Sequence, residues 1–520
     1  MCIRHSLFRL CCMFPRTSLF SGRHTPVRVL EQNRSCDAPA LATRPANRVT
    51  STNSANTCGA TTMTDVHIDP SDILRSVPAL RGTYFGDSPE PLREEDLDRL
   101  VRDTGLTCIR LGMEARNLAD ERDPCWKEDG FAYVSAVLDW CDARRVRCIL
   151  DMHNPLGRLY GGDPRLWREE YFKERFVKLW RELVRRFRGH PAVAAYEFIN
   201  EPEPPDDDSA VWNALHRRAT AAVRELDSDT PLVVDCIGYA NPRHMPTLEP
   251  NGDSYTVYSF HTYAPGPYHC QKRRELSDQS TYYYPGFIPA KAPDKPNDFN
   301  QAHAGSAAGT FWNRARLLEE FQPVFEFRDR YRVPIFCGEF GCVSDVPRGT
   351  DLVYLADQIG IFHEQGFSWA MYNTMFRTAD PYWTEHFDCG LYIVHSPQDR
   401  VYRFHRKIAL LEFFCRTEGD VLRYTQPSDD FVGLYAVRDR GHTTHILLTN
   451  KDRAETKMPT LTIAGLPDRW RASLKTLGHD DDGFVPRGPR ELIRGSMELT
   501  LPPLTLAIVE IPAPGLASWR

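Results

Sequence analysis

Two glutamates end apolar, strand-like runs of the chain and could act together on one substrate. Glu201 belongs to the tripeptide Asn200-Glu201-Pro202, and Glu339 ends a later run. Paired carboxyl groups suit chemistry in which one donates a proton while the other stays ionised, because burial and neighbouring charges can hold identical side chains in different protonation states. The residues alone therefore indicate two candidate catalytic carboxylates.

Further polar side chains end other apolar runs in the same way. They are Arg110, His153, His261 and Tyr263. Each has a structural alternative: an internal ion pair of Arg110 with Asp151 or Glu197, a buried and hydrogen-bonded role for each histidine, and core packing for Tyr263. We expect Asp151 and Glu197 to lie one layer deeper and to be structural, because side chains alternate along a strand.

A repeated pattern from residue 80 onward must position these residues. Eight apolar runs alternate with polar or Gly/Pro loops and amphipathic segments, which is typical of a parallel sheet with helical crossovers. The runs are Leu80 to Gly86, Thr107 to Met113, Arg147 to His153, Val193 to Glu201, Pro231 to Ile237, Tyr255 to Tyr263, Pro334 to Phe340 and Phe367 to Thr374. Eight such units predict a (β/α)8 TIM barrel, whose active site lies at the carboxyl ends of its strands.

The whole chain is predicted to divide into three segments, and the barrel segment contains a long insertion. Residues 63–416 are predicted to be the catalytic barrel, and 417–520 a C-terminal β-sandwich, because short alternating strands replace the helical periodicity there. Residues 1–62 are rich in Arg, Ser and Thr and resemble a disordered, transit-like leader, or a segment upstream of a start at Met63. The Pro- and Tyr-rich insertion 264–312 is expected to be a partly ordered lid or a floppy loop.

Composition excludes several classes of protein. Apolar residues make up 42% and charged residues 26% of the 520 residues, which is ordinary for a globular chain. The net charge of −6 makes nucleic acid an unexpected partner, and no apolar run is long enough to span a membrane. We expect free thiols and no metal or cofactor, and an intracellular site is favoured because no clear secretory signal is found.

The residues named above are similar to those of family 5 glycoside hydrolases of the cellulase superfamily, over about residues 73–415. The resemblance implies Glu201 as general acid/base, Glu339 as nucleophile, and hydrolysis with retention. It also implies that Asn200 binds the sugar 2-hydroxyl and that His153 and His261 position hydroxyls or the acid/base. Arg110 and Tyr263 would then stabilise the ionised form of Glu339.

An aromatic platform beneath the sugar is also expected from the family, on the eighth strand. Trp369 is favoured for that position, with Tyr372 as the alternative, because strand alternation alone does not choose between them. The expected substrate is a β-linked glucan, mannan or glycoconjugate. A catalytically silent carbohydrate-binding barrel and a transglycosylase remain as alternatives, and neither the linkage nor the oligomeric state follows from the sequence.

Overall fold

The computed structural model of the chain describes residues 64–86, 91–122, 125–158, 163–269, 271, 280–288, 309–376, 389–394 and 402–514. These residues belong to one compact unit, Met63–Arg520. The predicted leader 1–62 and much of the predicted lid lie outside them. In the described ranges, every helix is too short or too polar to cross a bilayer.

Eight parallel strands close into a barrel, as the sequence predicts. The first strand of the chain, β1 (Asp65–Ser76), joins a different sheet. The barrel strands are β2 (Arg81–Phe85), β3 (Cys108–Glu114), β4 (Arg147–Asn154), β5 (Val193–Glu197), β6 (Leu232–Asp235), β7 (Thr256–Thr262), β10 (Ile335–Phe340) and β11 (Ser368–Met371). They pair in chain order, and β11 returns to β2 to close the barrel.

Helices follow the barrel strands along the chain, and their apolar side chains are largely buried. The face of Val134, Val137, Leu138 and Cys141 is buried as its spacing predicts. The helices are α1 (Glu94–Thr104), α2 (Ala115–Leu118), α3 (Glu128–Ala143), α4 (Arg165–Arg168), α5 (Glu170–Phe187), α6 (Ser209–Arg224), α7 (Ile237–Ala240), α8 (Gly266–His269), α9 (Arg314–Glu320), α10 (Gln322–Tyr331), α11 (Thr350–Gln365) and α12 (Lys407–Arg416). Two 3-10 turns span Pro205–Asp207 and Pro242–Thr247.

A side chain caps the helix that follows the loop of Glu201. The side chain of Asp208 accepts a hydrogen bond from the backbone N–H of Ala210 at 3.1 Å, which satisfies one donor at the start of α6. This cap ends the loop that carries Glu201. The loop is therefore anchored at one end by β5 and at the other by a capped helix.

Short strands outside the barrel come from the loops after its sixth and eighth strands. In the predicted lid, β8 (Gly286–Ile288) and β9 (Thr310–Trp312) form an antiparallel pair. In the eighth loop, β12 (Met375–Phe376), β13 (Tyr392–Val394) and β14 (Tyr402–Phe404) form a three-stranded sheet. The described part of the 264–312 insertion thus contains regular secondary structure, and its role as a lid stays a prediction.

The C-terminal part differs from the β-sandwich that the sequence predicts over 417–520. Nine strands form one closed sheet, and β1, which the sequence analysis placed with the barrel, completes it between β15 and β18. The remaining strands are β15 (Gly419–Tyr424), β16 (Val432–Asp439), β17 (Thr444–Asn450), β18 (Thr460–Ile463), β19 (Arg469–Leu477), β20 (Val485–Ile493), β21 (Ser496–Glu498) and β22 (Thr505–Ile511). An early segment joins this module because β15 and β18 would otherwise be unpaired edges.

This nine-stranded module packs directly against the barrel. It has its own apolar core, and Lys451 in the module forms a buried ion pair with Asp357 of α11, with Nζ 2.7 Å from both carboxylate oxygens. The Tyr435 hydroxyl of β16 lies 2.7 Å from Nδ1 of His363, also on α11. Helix α11 thus supplies buried polar contacts that join the barrel to the module.

Candidate active site

The polar residues predicted from strand ends meet at one end of the barrel. Arg110 and His153 lie on β3 and β4, His261 lies on β7 and Glu339 on β10. Tyr263 directly follows β7, and Asn200 and Glu201 follow β5. The parallel direction of the eight strands brings these residues together, because all their carboxyl ends lie at the same face.

The two glutamates face each other at this end. Carboxylate oxygens of Glu201 and Glu339 and one ring nitrogen of His261 all lie within 4.8 Å of one another. Both glutamates are buried, with exposed fractions of 5% and 4%. The gap is small enough for both carboxyl groups to contact the same bound group.

Arg110 connects the nucleophile candidate to the barrel floor. Its Nη1 donates to Oε1 of Glu339 at 2.8 Å, and its Nε and Nη2 donate to the two oxygens of Glu197 at 2.7 Å each. Its Nη2 also lies 3.3 Å from Asp151. One fully buried guanidinium therefore makes the internal ion pair of the structural alternative and also contacts Glu339, and its functional role stays a prediction.

Different surroundings separate the two glutamates electrostatically. Burial raises the pKa of both carboxyls, and the charge of Glu339 raises the pKa of Glu201 further. For Glu339 this rise is opposed by Arg110 and by the Tyr263 hydroxyl, which donates to Oε2 at 2.7 Å. Glu201 is thus the better proton carrier of the pair and Glu339 the better anion.

Histidines and an asparagine surround the pair. Nδ1 of His261 lies 2.9 Å from Oε1 of Glu201, and Nδ1 of His153 lies 2.8 Å from Asp151. Asn200 accepts from Arg110 at 2.8 Å, and its Nδ2 lies 3.4 Å from Nε2 of His153. These contacts fix the orientation of all three side chains before a substrate binds.

The structure does not bring Trp369 into the site. Its side chain is fully buried, 5.7 Å from the ring of Phe340 and 6.2 Å from that of His363 on α11, so it points outward from the barrel. Tyr372, three residues later, lies 5.3 Å from Tyr84 and 6.5 Å from Tyr263 between ring centroids. The expectation of a tryptophan platform is thus corrected: Tyr372 is the aromatic residue of this strand at the site.

Three residues near the glutamates were missed by the sequence analysis. Asp235 ends β6, and its Oδ2 accepts the backbone N–H of Glu201 at 3.0 Å. The ring centroid of Tyr84 on β2 lies 4.9 Å from that of His153. Nη2 of Arg158 donates to the backbone carbonyl oxygen of Glu201 at 2.5 Å. The strand-end rule would have found Asp235 and Tyr84, whereas Arg158 lies in a loop without a pattern.

Two sets of side chains have the spacing of metal ligands within the described part of the chain. They are Glu197, Asp235 and His261, and Glu201, His261 and Glu339. Arg110 binds both oxygens of Glu197, while Arg110 and Tyr263 each bind one oxygen of Glu339. These carboxylates are therefore engaged in ion pairs and hydrogen bonds, and the expectation of a metal-free site stays a prediction.

Several known proteins resemble this chain in sequence. The profile of the family described as cellulase (glycosyl hydrolase family 5) matches residues 64–376. Endoglucanase C of Acetivibrio thermocellus is 27% identical over 289 residues, which is 54% of this chain and 83% of the relative. A beta-xylosidase of Phanerodontia chrysosporium is 25% identical over 288 residues, 52% of this chain and 53% of the relative.

Solved structures also resemble this chain in fold. A glycoside hydrolase aligns with a TM-score of 0.50 and 19% identity, covering 65% of this chain and 99% of its own. The family 30 subfamily 8 xylanase Xyn30A of Clostridium acetobutylicum aligns with a TM-score of 0.56 and 11% identity, covering 86% of this chain and all of its own. At these identities the likeness concerns the fold alone.

Proposed function

Since the chain belongs to glycosyl hydrolase family 5, the cellulase family, and is thus a glycoside hydrolase, we propose that it hydrolyses β-linked glucans with retention of configuration. Glu201 is the general acid/base and Glu339 the nucleophile in this proposal. The observation that carries it is the approach of the two carboxylates, whose oxygens lie within 4.8 Å of each other. Retaining enzymes hold their carboxyl groups about 5 to 5.5 Å apart, whereas inverting enzymes need a wider gap for water.

The first half-reaction breaks the glycosidic bond. Glu201, protonated at rest, donates its proton to the glycosidic oxygen while a carboxylate oxygen of Glu339 bonds to the anomeric carbon. The leaving sugar departs with the proton, and a glycosyl ester of Glu339 remains. Because Glu339 no longer carries a charge, the pKa of Glu201 falls at this point.

The second half-reaction restores the enzyme. Glu201, now ionised, takes a proton from a water molecule whose oxygen attacks the anomeric carbon, and the bond to Glu339 breaks. The second inversion returns the original configuration. A sugar hydroxyl in place of water would give transglycosylation, so the balance between the two outcomes depends on the acceptor and not on the two glutamates.

A β-glucan is proposed because relatives of this chain are named endoglucanases. The polar, ion-paired floor of the site suits a neutral, hydroxyl-rich substrate. The presence of both carboxylates argues against a catalytically silent carbohydrate-binding barrel, because such a protein could lose either glutamate without losing its function.

The test uses the full chain with aryl β-glycosides and β-linked oligosaccharides. We expect Glu201→Gln to reduce kcat/KM by about 10²- to 10⁴-fold on substrates with poor leaving groups and much less on dinitrophenyl glycosides. Glu339→Gln should abolish turnover of both kinds. Proton NMR of the first product anomer should show retention.

Glu182→Gln is the matched control, because Glu182 is a part-buried, arginine-paired glutamate on α5. Its turnover should equal that of the unmodified chain. Undiminished turnover by Glu201→Gln or Glu339→Gln would refute the assignment of roles, and an inverted first product would refute the retaining mechanism. Products from cello-, manno- and laminari-oligosaccharides would identify the preferred glucan or reject one.

A further inference from the structure

The backbone of Glu201 adopts a conformation that is unusual for glutamate. Its φ is +49°, in the left-handed region, where a side chain with a Cβ is disfavoured. The residue follows β5 and precedes Pro202, so it lies at the point where the chain leaves the barrel wall. Strained backbone of this kind persists where surrounding contacts hold it.

Two buried side chains hold this backbone from opposite sides. Oδ2 of Asp235 accepts the N–H of Glu201 at 3.0 Å, and Nη2 of Arg158 donates to its carbonyl oxygen at 2.5 Å. Nη1 of Arg158 also donates to the carbonyl of His153 at 3.2 Å, which ties the clamp to β4. Asp235 is fully buried and Arg158 is 3% exposed, so both contacts are protected from water.

Asp235 reaches Glu201 by a second route. Its Oδ2 lies 3.4 Å from Nε2 of His261, whose Nδ1 lies 2.9 Å from the Glu201 carboxyl. One carboxylate thus contacts both the backbone of Glu201 and the imidazole that orients its side chain. A shift of Asp235 would therefore move both the backbone and the carboxyl group of Glu201.

We propose that Arg158 and Asp235 are positioning residues that clamp Glu201 in its left-handed conformation and thereby aim its proton at the leaving oxygen. This inference rests on the proposed role of Glu201 as acid/base. Neither residue needs to touch the substrate. Their effect should appear in the step that Glu201 assists, which is departure of the leaving group.

Arg158 and Asp235 also shift the pKa of Glu201, in opposite directions. The positive charge of Arg158 lowers the pKa of Glu201, and the negative charge of Asp235 raises it. Glu201 must be protonated for the first step, so activity falls as pH rises through its pKa. The titratable or charged groups that interact with Glu201 in the described part of the chain are His153, Arg158, Asp235, Cys236, Tyr239, His261, Tyr263 and Glu339.

The experiment compares Arg158→Met and Arg158→Lys with Arg81→Met in the full chain. Arg81 is a matched control because it is also 3% exposed and also donates through both Nη atoms to backbone carbonyls, those of Pro78 and Cys415, at the other end of the barrel. The readouts are kcat/KM for aryl β-glycosides with leaving groups of increasing pKa, the pH profile and the thermal unfolding midpoint.

For Arg158→Met we expect kcat/KM to fall at least tenfold more on substrates with poor leaving groups than on dinitrophenyl glycosides. We also expect the alkaline limb of the pH profile of kcat/KM to move to higher pH. Arg158→Lys should return the limb toward its original pH and recover part of the rate, because the charge is kept. Arg81→Met should lower the unfolding midpoint and change all substrates equally. Equal losses across leaving groups in Arg158→Met, as in Arg81→Met, would overturn the proposal.

Asp235→Asn tests the proposal if Arg158→Met does not fold. It removes a negative charge beside Glu201, so the alkaline limb should move to lower pH, again with a larger loss on poor leaving groups. An unmoved limb with uniform loss would overturn the proposal. Failure of Glu201→Gln itself to show a dependence on the leaving group would instead count against the role of Glu201, so the two failures are distinguishable.

Discussion

The guanidinium of Arg110 bridges Glu339 and Glu197, with Nη1 2.8 Å from Oε1 of the first and Nε 2.7 Å from Oε2 of the second. One cation therefore binds both the Glu339 carboxylate, at the carboxyl ends of the barrel strands, and the Glu197 carboxylate, inside the barrel. The site and the barrel interior form a single ion-pair network.

Removing this cation should affect both stability and the pH profile. In Arg110→Met, buried carboxylates lose their partner, and we expect a loss of about 3–5 kcal/mol in the free energy of unfolding, measured with urea. The pKa of Glu339 should rise, because Arg110 lowers it in the folded protein. Glu339 must be ionised to attack, so the acidic limb of kcat/KM should move to higher pH.

Arg110→Lys is the informative companion to that variant. Lysine keeps the charge but cannot bind Glu197 through two nitrogens and reach Glu339 as well. We expect the acidic limb to return part of the way and stability to stay low. An unmoved acidic limb in Arg110→Met would contradict the assignment of Glu339 as the ionised partner.

Glu201→Gln should stabilise the fold at neutral and alkaline pH. The folded-state pKa of Glu201 lies well above its ordinary value, so the native state binds the proton more tightly than the unfolded chain. Stability is consequently lost as pH rises from the unfolded pKa, about 4.3, toward the folded one. Glutamine does not titrate, so the gain in unfolding free energy over the unmodified chain should grow between pH 4 and pH 8.

Glu182→Gln should show the opposite sign. Hydrogen bonds from Arg185 lead the contacts that lower the pKa of Glu182, so its ionised form stabilises the fold above its unfolded pKa. Loss of that charge should be neutral or destabilising at pH 8. Thermal unfolding of both variants at the two pH values checks the pair, and a Glu201→Gln gain independent of pH would contradict the predicted shift.

Two aromatic residues of the eighth strand should separate stability from activity. Trp369→Ala empties a fully buried position, and we expect a loss of about 3–5 kcal/mol in unfolding free energy. Tyr372→Ala should lower kcat/KM by about tenfold while costing less stability, because the ring borders the site. Chemical denaturation and steady-state kinetics on cello-oligosaccharides measure the two effects, and full activity of Tyr372→Ala would exclude it as a sugar platform.

The ion pair between Lys451 and Asp357 should couple the module to the barrel. Both side chains are buried, and the Tyr284 hydroxyl donates to the same carboxylate at 2.7 Å. Lys451→Met leaves that carboxylate without its cation, for an expected loss of about 3–5 kcal/mol. Adding Asp357→Asn removes the unpaired charge and keeps an acceptor for the Tyr284 hydroxyl, so it should recover part of the loss. Scanning calorimetry measures this recovery as a shift of one cooperative transition.

That calorimetric result also tests whether barrel and module unfold together. A single transition in the unmodified chain that separates into two in Lys451→Met would place the coupling at this pair. Unchanged stability in Lys451→Met would show that other contacts hold the module, among them those of His363 with Tyr435 and of Arg406 with the carbonyl oxygen of Gly478.

The barrel and the two glutamates could be predicted from the sequence because both depend on local pattern. Apolar runs of β5 and β10 that end in polar residues identify parallel strands and their carboxyl ends, and that end of a barrel is where catalytic groups lie. The module was harder to predict. Strand β20 is almost fully exposed and contains Pro486, Gly488 and Pro489, so it lacks the alternation that marks a half-buried strand.

Tertiary structure alone decided how the glutamates are held. Three features depend on contacts between segments that lie apart in the chain. They are the position of Tyr372 rather than Trp369 at the site, the contacts of Asp235 and Arg158 with Glu201, and the pairing of β1 with the C-terminal module. Such contacts depend on strand register, on where a strand ends and on which edge is left open. One residue more or less in a strand reverses the direction of a side chain, and the sequence does not specify that count.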